Sequence, residues 1–259
     1  CDWSSDVCSS DLILSAYEKN HLLKYGFDPE QIDQYGEQPV EYITGRVEFL
    51  GKELTVSPAV LIPRVETEEL VGLVVEDLLS NPNELTIAEV GTGSGAIGLS
   101  IASQLIASNK PFQLMMSDIS QEALAVAQKN RQRLIPQLPS NAKLEFLKSD
   151  LLEDFPSDLT FDYLIANLPY IPSDRLATLP DSVKDFEPLS ALYGGADGLQ
   201  LIDNLINQAK KILKPTGKIY LEIDDTHDEE KLAKLSATYR VQVFPDQFGK
   251  NRFAVLQFA

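Results

Sequence analysis

The chain reads as an α/β protein built on a doubly wound, mostly parallel sheet of seven strands. Short apolar runs alternate with stretches of helical period between Leu85 and Ile223. A glycine-rich turn, Gly91–Gly95, stands between the first of those strands and the helix after it. Two last apolar runs are separated only by a polar turn, as an antiparallel closing hairpin requires.

The elements follow in order. Cys1–Leu12 is rich in Ser and Asp, lacks either period, and reads as a leader outside the packed domain. Residues 12–35 place Leu14, Tyr17, Leu22 and Tyr25 at a loosely helical spacing, which predicts one or two short helices, the remnant of a helical lobe. From Pro39 onward, Val40–Ile43 and Glu48–Val56 read as a short hairpin. Leu61–Arg64 then leads into a helix opened by Thr67, whose Glu68 and Glu69 suit the positive end of its dipole.

Strands are predicted at Leu85–Val90, Phe112–Ser117, Lys143–Leu147, Phe161–Ala166 and Lys218–Ile223, with helices at Ala96–Ala107, Gln121–Leu134 and Gly198–Leu213. Tyr239–Phe244 and Arg252–Phe258 form the closing hairpin. The expected organisation is a leader and reduced helical segment at 1–38, a hairpin linker at 39–64 and one large domain at 65–259.

Composition narrows the function. A chain of 259 residues, 44% hydrophobic, can bury a sizeable core. No apolar run approaches a bilayer span, and the Leu12–Leu14 stretch follows acids rather than a basic flank, so the expected compartment is the cytoplasm. The cysteines, Cys1 and Cys8, exclude a disulfide framework in the body of the chain. The two histidines, His21 and His227, are too few for a histidine metal site and are expected at the surface, so no metal is predicted. A formal charge of −17 disfavours nucleic acid and favours proteins or small molecules as partners.

Gly91, Thr92, Gly93, Ser94 and Gly95 follow a strand and open a helix, where glycines let a ligand approach backbone amides. The Walker pattern fails for want of Gly-Lys-Ser/Thr, and Gly93, Gly95 and Gly98 meet the dinucleotide spacing only loosely. Asp118 closes the next strand, where an acid accepts from both hydroxyls of a ribose, although an acid beside Ser120 and Gln121 also suits a helix start. Leu151, in Ser149-Asp150-Leu151, ends the third strand near the expected place of an adenine ring, with an ordinary strand-end turn as the competing reading.

Asn167, Leu168, Pro169 and Tyr170 end the fourth strand, across from the glycine turn. A planar nitrogen with a delocalised lone pair is a poor nucleophile and must be gripped by acceptors that aim it. The Asn167 side-chain oxygen and the Leu168 carbonyl are two such acceptors. Pro169 stiffens the turn, and Tyr170 offers a ring face to a flat amide or base and to a cationic methyl group.

From about Pro39 to Ala259 the chain resembles the release factor glutamine N5-methyltransferases (PrmC/HemK). The resemblance is carried by Glu41–Gly45, Glu48–Gly51, Leu61-Ile62-Pro63-Arg64 with Glu66-Thr67-Glu68, Asn167–Tyr170, Glu187-Pro188, Gly194-Gly195 and Asp197-Gly198-Leu199. It implies the class I S-adenosylmethionine-dependent methyltransferase fold, with S-adenosyl-L-methionine as cofactor. Gly91–Gly95, Asp118, Leu151 and Asn167 would contact that cofactor, and Asn167–Tyr170 would hold a glutamine from the glycine-flanked loop of a peptide chain release factor. Arg64 and Glu66 read equally as site contacts or as a surface ion pair.

Leu168 replaces the first proline of the family's usual Asn-Pro-Pro-Tyr; the carbonyl does the work there, so activity should survive. Some 35 residues precede the matched region, where the family usually carries a helical lobe that grips its substrate. Asp224-Asp225-Thr226-His227 stands where the family tends to have a glycine and a glutamine. Asn-Leu-Pro-Tyr is also the form used by ribosomal RNA adenine dimethyltransferases, so an adenine N6-methyltransferase acting on RNA or DNA is the rival enzyme. A non-catalytic cofactor-binding subunit is the rival of another class.

Overall fold

A computed structural model describes residues 14–259; Cys1–Leu12, with both cysteines, lies outside them. The first elements are helix α1 (Ala16–Lys24), a 3-10 turn at Pro29–Tyr35 and helix α2 (Val40–Thr44). Ser15 and Glu18 close a capping box at the start of α1, satisfying two otherwise orphaned amides. Leu22, Ile32 and Val40 form a small core of their own.

Val40–Ile43 is thus helix rather than the first half of a hairpin. Its β-branched residues look like strand, but Pro39 opens a turn of helix and Gly45, in the left-handed region, closes it. The hairpin is instead β1 (Arg46–Phe49) and β2 (Lys52–Thr55), which reverse through Leu50 and Gly51, both at positive φ. Val47, Phe49 and Leu54 turn inward to the main core.

Helix α3 (Val65–Ser80) begins two residues ahead of Thr67, with Glu66 and Glu68 in its first turn. Beyond it lie β3 (Leu85–Val90), α4 (Ala96–Ala107), β4 (Phe112–Asp118), α5 (Gln121–Leu134), β5 (Ala142–Lys148) and β6 (Phe161–Ala166). A long loop carrying α6 (Asp181–Lys184) leads to α7 (Gln200–Ala209) and β7 (Leu213–Glu222). The chain closes with α8 (Glu229–Leu235), β8 (Tyr239–Pro245) and β9 (Asn251–Phe258). Helix α7 is shorter at both ends than the sequence predicts, because Gly198 is at positive φ and Leu213 already pairs with Phe161.

The sheet runs β5-β4-β3-β6-β7-β9-β8, parallel through β7, with β9 antiparallel to both of its neighbours. This is the seven-stranded class I methyltransferase arrangement. Both faces are covered. Ile87, Leu114, Met116 and Ile165 pack with residues of α3 and α4, while Ala88, Val90, Leu164, Ala166 and Leu221 pack with Ile202, Leu205 and Ile206 of α7. Burial on both faces is why the central strands read as mostly apolar runs rather than alternating ones. No described helix is long and apolar enough to cross a membrane.

Strand order reverses between β3 and β6, and α/β sheets of this kind open a crevice at the carboxyl ends of such strands. The glycine turn leaves β3 there and the Asn-Leu-Pro-Tyr segment leaves β6.

Candidate active site

Pairing of Val90 with Ala166 sets Gly91 beside Asn167. A cavity of about 310 Å³ opens between them, lined by Gly91, Thr92, Gly93, Ser94, Asp118, Leu151, Asn167, Leu168 and Pro169 among others. Gly95 and Tyr170 are not part of that lining and sit behind it. Gly91, Gly93 and Gly95 all adopt positive φ. A Cβ on Gly93 would meet no protein atom within 4 Å, so the space beside the turn is open to a ligand.

Contacts from β3, β4 and α5 hold the turn. Thr92 donates its amide to the Ser117 carbonyl (2.8 Å) and its hydroxyl to Glu89 Oε2 (2.6 Å). From α5, fully buried Asn130 donates to the Ser94 carbonyl (2.8 Å) and exchanges two hydrogen bonds with Thr55 of the hairpin (2.7 and 2.9 Å). Glu89 is 1% exposed, its Oε1 has no partner, and burial pushes its carboxyl up to about 8.

Asp118 closes β4 facing the cavity. Its Oδ2 accepts from the Gly93 amide (2.8 Å) and its Oδ1 from the Ser120 amide (2.9 Å), so one carboxylate both anchors the turn and steadies the start of α5. Burial raises its pKa above the usual carboxylate range, and those backbone donors oppose the rise. Ser149, Asp150 and Leu151 lie on the neighbouring strand end, where Ser149 donates to the Asp118 carbonyl (3.0 Å) and Leu151 takes a positive φ of 50°.

Behind the Asn-Leu-Pro-Tyr segment stands Glu222, at the end of β7 and 2% exposed. Its Oε1 accepts the Tyr170 hydroxyl (2.9 Å) and its Oε2 the Thr67 hydroxyl (2.7 Å). Asn167 Nδ2 in turn donates to Thr67 Oγ1 (3.3 Å). Burial drives both Glu222 and Tyr170 upward from their ordinary values. The loop after Tyr170 folds back on it: Gly194 donates to the Ile171 carbonyl (3.0 Å), and a Cβ at Gly194 or Gly198 would run into the Tyr170 backbone.

Arg64 pairs with Glu187 rather than with Glu66, and Glu187 also accepts the Ile62 amide (3.3 Å). The Asp224–His227 segment acquires a physical role as well. Buried Asp224 takes Arg175 from the long loop (2.7 Å) and caps Thr226, while His227 Nε2 donates to the Asp197 carbonyl (2.9 Å). Both histidines, expected at the surface, are buried, at 7% exposure for His21 and 1% for His227; His21 meets the Thr44 hydroxyl at 2.8 Å. Thr67 and Glu222 escaped the sequence reading, since a Thr in a first turn and a Glu at a strand end look like ordinary boundary residues. The available signal was that Thr67 lies inside Glu66-Thr67-Glu68, one of the blocks that carry the resemblance.

The cavity suits an adenosine-type cofactor on its own terms: its volume falls within the range of small-molecule sites, and it joins an open glycine turn to a half-buried carboxylate. A family profile described as a methyltransferase domain matches residues 82–256. A release factor glutamine methyltransferase of Clostridium acetobutylicum is 41% identical over 214 residues, covering 82% of this chain and 71% of that protein. One from Bacteroides thetaiotaomicron is 33% identical over 246 residues, covering 93% and 82%. The chain belongs to the release factor glutamine methyltransferase family.

Among solved structures, the hMettl16 catalytic domain superposes with a TM-score of 0.57 at 16% identity, covering 80% of this chain and 74% of that one. At that identity the likeness concerns the fold. In this chain the Arg64–Glu187 pair joins two of the sequence blocks that carry the resemblance.

Proposed function

We propose that this enzyme methylates the side-chain amide nitrogen of a glutamine in a peptide chain release factor, with S-adenosyl-L-methionine as methyl donor. The observation that carries the reading is Asn167, which ends β6 on the cavity wall directly beside Gly91. The glycine turn Gly91–Gly95, Asp118 and Leu151 would hold the cofactor, Asp118 through the ribose hydroxyls and Leu151 beside the adenine. The cofactor, when bound, supplies a methyl group made electrophilic by its sulfonium.

The protein's share is orientation. An amide nitrogen delocalises its lone pair into the carbonyl, so its protons must be gripped for it to present that pair to a methyl group. Asn167 Oδ1 and the Leu168 carbonyl accept those two protons. Pro169 restricts the backbone of Leu168 before it, and Tyr170, held by Glu222, braces the far end of the segment. Developing positive charge on the nitrogen strengthens both acceptor bonds in the transition state, which is how such contacts raise turnover rather than affinity. The partner is a protein, without a requirement for nucleic acid, membrane or metal, and enzyme and substrate meet in the cytoplasm. Residues 39–64, helix α2 and the β1–β2 hairpin, then act as a linker and residues 65–259 as the methyltransferase domain.

Mass spectrometry of peptides from purified release factor, after incubation with enzyme and S-adenosylmethionine, tests the reading. One added methyl on the glycine-flanked glutamine supports it, and an unmodified glutamine under conditions where the cofactor binds refutes it.

A further inference from the structure

Thr67 has one hydroxyl proton to give, and its surroundings decide where it goes. The side chain is 3% exposed, with Oγ1 at 2.7 Å from Glu222 Oε2 and 3.3 Å from Asn167 Nδ2. The other Glu222 oxygen is taken by the Tyr170 hydroxyl. Both hydroxyls donate into that carboxyl group, Thr67 to Oε2 and Tyr170 to Oε1. Thr67 Oγ1 then shows Asn167 nothing but lone pairs. The Asn167 amide must turn its NH2 towards Thr67, because the flipped amide would set two acceptor oxygens against each other.

We propose that Thr67 and Glu222 are positioning residues that lock the Asn167 amide with Oδ1 presented to the substrate nitrogen. The inference rests on the reading of Asn167 as the acceptor of a substrate proton; it gives Thr67 a part in that reading and extends the part of Glu222 from Tyr170 to Asn167. Glu222 reaches both ends of the tetrapeptide, Asn167 through Thr67 and Tyr170 directly, so one buried carboxylate sets the register of the whole segment. Burial opposes the charge on Glu222, while Thr67, Tyr170 and the nearby Arg252 favour it. The nearest consequence is for methyl transfer: an amide free to flip presents a donor where an acceptor is required.

The test uses the full chain labelled with nitrogen-15 asparagine, the Asn167 side-chain signal being assigned by its loss in Asn167→Ala. Thr67→Val is expected to shift that signal and to lower kcat for methylation of release factor by about 10²-fold, the usual cost of a small misplacement of reacting groups. Thr67 also lines the cavity, so cofactor Kd is measured beside kcat and should change far less than kcat does, and Thr67→Ser should restore both signal and rate. In the Asn167→Ala background, Thr67→Val should cause no further loss. If Thr67→Val does not fold, Thr67→Ala carries the same expectations. An Asn167 signal that does not move, or losses that add in the double variant, would overturn the proposal. Absence of methylation by the wild-type enzyme would instead count against the functional reading, and the nuclear magnetic resonance arm would still decide this one.

Discussion

Arg64 and Glu187, 123 residues apart in sequence, close an ion pair that ties the approach to α3 onto the long loop between β6 and α7. The Glu187 side chain is 1% exposed while Arg64 keeps 35% of its surface, so the carboxylate depends on its partner more than the guanidinium does. Arg64→Ala strands a buried acceptor, which costs about 1–3 kcal/mol. Chemical denaturation should show a lower midpoint at unchanged slope. A midpoint equal to wild type would mean that water replaces the guanidinium.

Asp118→Ala should weaken S-adenosylmethionine binding by roughly 1.5–3 kcal/mol, the value of a hydrogen bond to a charged group. The same substitution frees the Gly93 amide, so the anchor of the turn and the proposed ribose contact are lost together. Titration calorimetry reads the affinity directly, and an unchanged Kd removes Asp118 from the cofactor site.

Glu89 makes stability depend on pH in a defined sense. Its carboxyl is raised from 4.5 to about 8 by burial, so between those values the folded protein holds a proton that the unfolded chain releases. Stability from this group is full below pH about 4.5 and is lost as pH rises through about 8. Gln at this position keeps the acceptor for Thr92 and cannot ionise. The melting temperature of cofactor-free wild type should therefore fall relative to Glu89→Gln as pH rises from the acid to the alkaline side of that window. Parallel curves would show that Glu89 is already charged in the fold.

Asn167→Ala should fold and bind cofactor yet lose most of its turnover, because the amide oxygen acts mainly in the transition state. Leu168→Pro should keep its activity, since only the carbonyl of residue 168 is used. Steady-state kinetics on release factor separates the two, and an Asn167→Ala enzyme with a near wild-type rate removes its catalytic role.

The central strands were legible because they are buried on both faces, so Leu85–Val90 and Phe161–Ala166 are mostly apolar, broken only by Thr86, Glu89 and Asp162. The glycine turn and the Asn-Leu-Pro-Tyr segment were legible because both stand at strand ends, where topology alone brings them together. Val40–Ile43 was misread because five residues are too few to display a helical period, and the side chains there favour strand. Buried His21 and His227 were misread because composition cannot reveal that Thr44 and the Asp197 carbonyl await them. The hydroxyl chain through Thr67 and Glu222 spans residues 155 apart, a distance at which no local pattern exists.

Methyl transfer from labelled S-adenosylmethionine, run in parallel on release factor, on its Gln→Asn variant and on ribosomal RNA, decides the substrate most directly. Shortening the side chain withdraws the nitrogen from Asn167 and Leu168 by one methylene, and a misplacement of about 1 Å costs about 10²-fold in rate. Label in the wild-type release factor, about a hundredth of that rate in the Asn variant and none in RNA is the expected result. Label in RNA, or equal label in the Asn variant, would contradict a glutamine substrate.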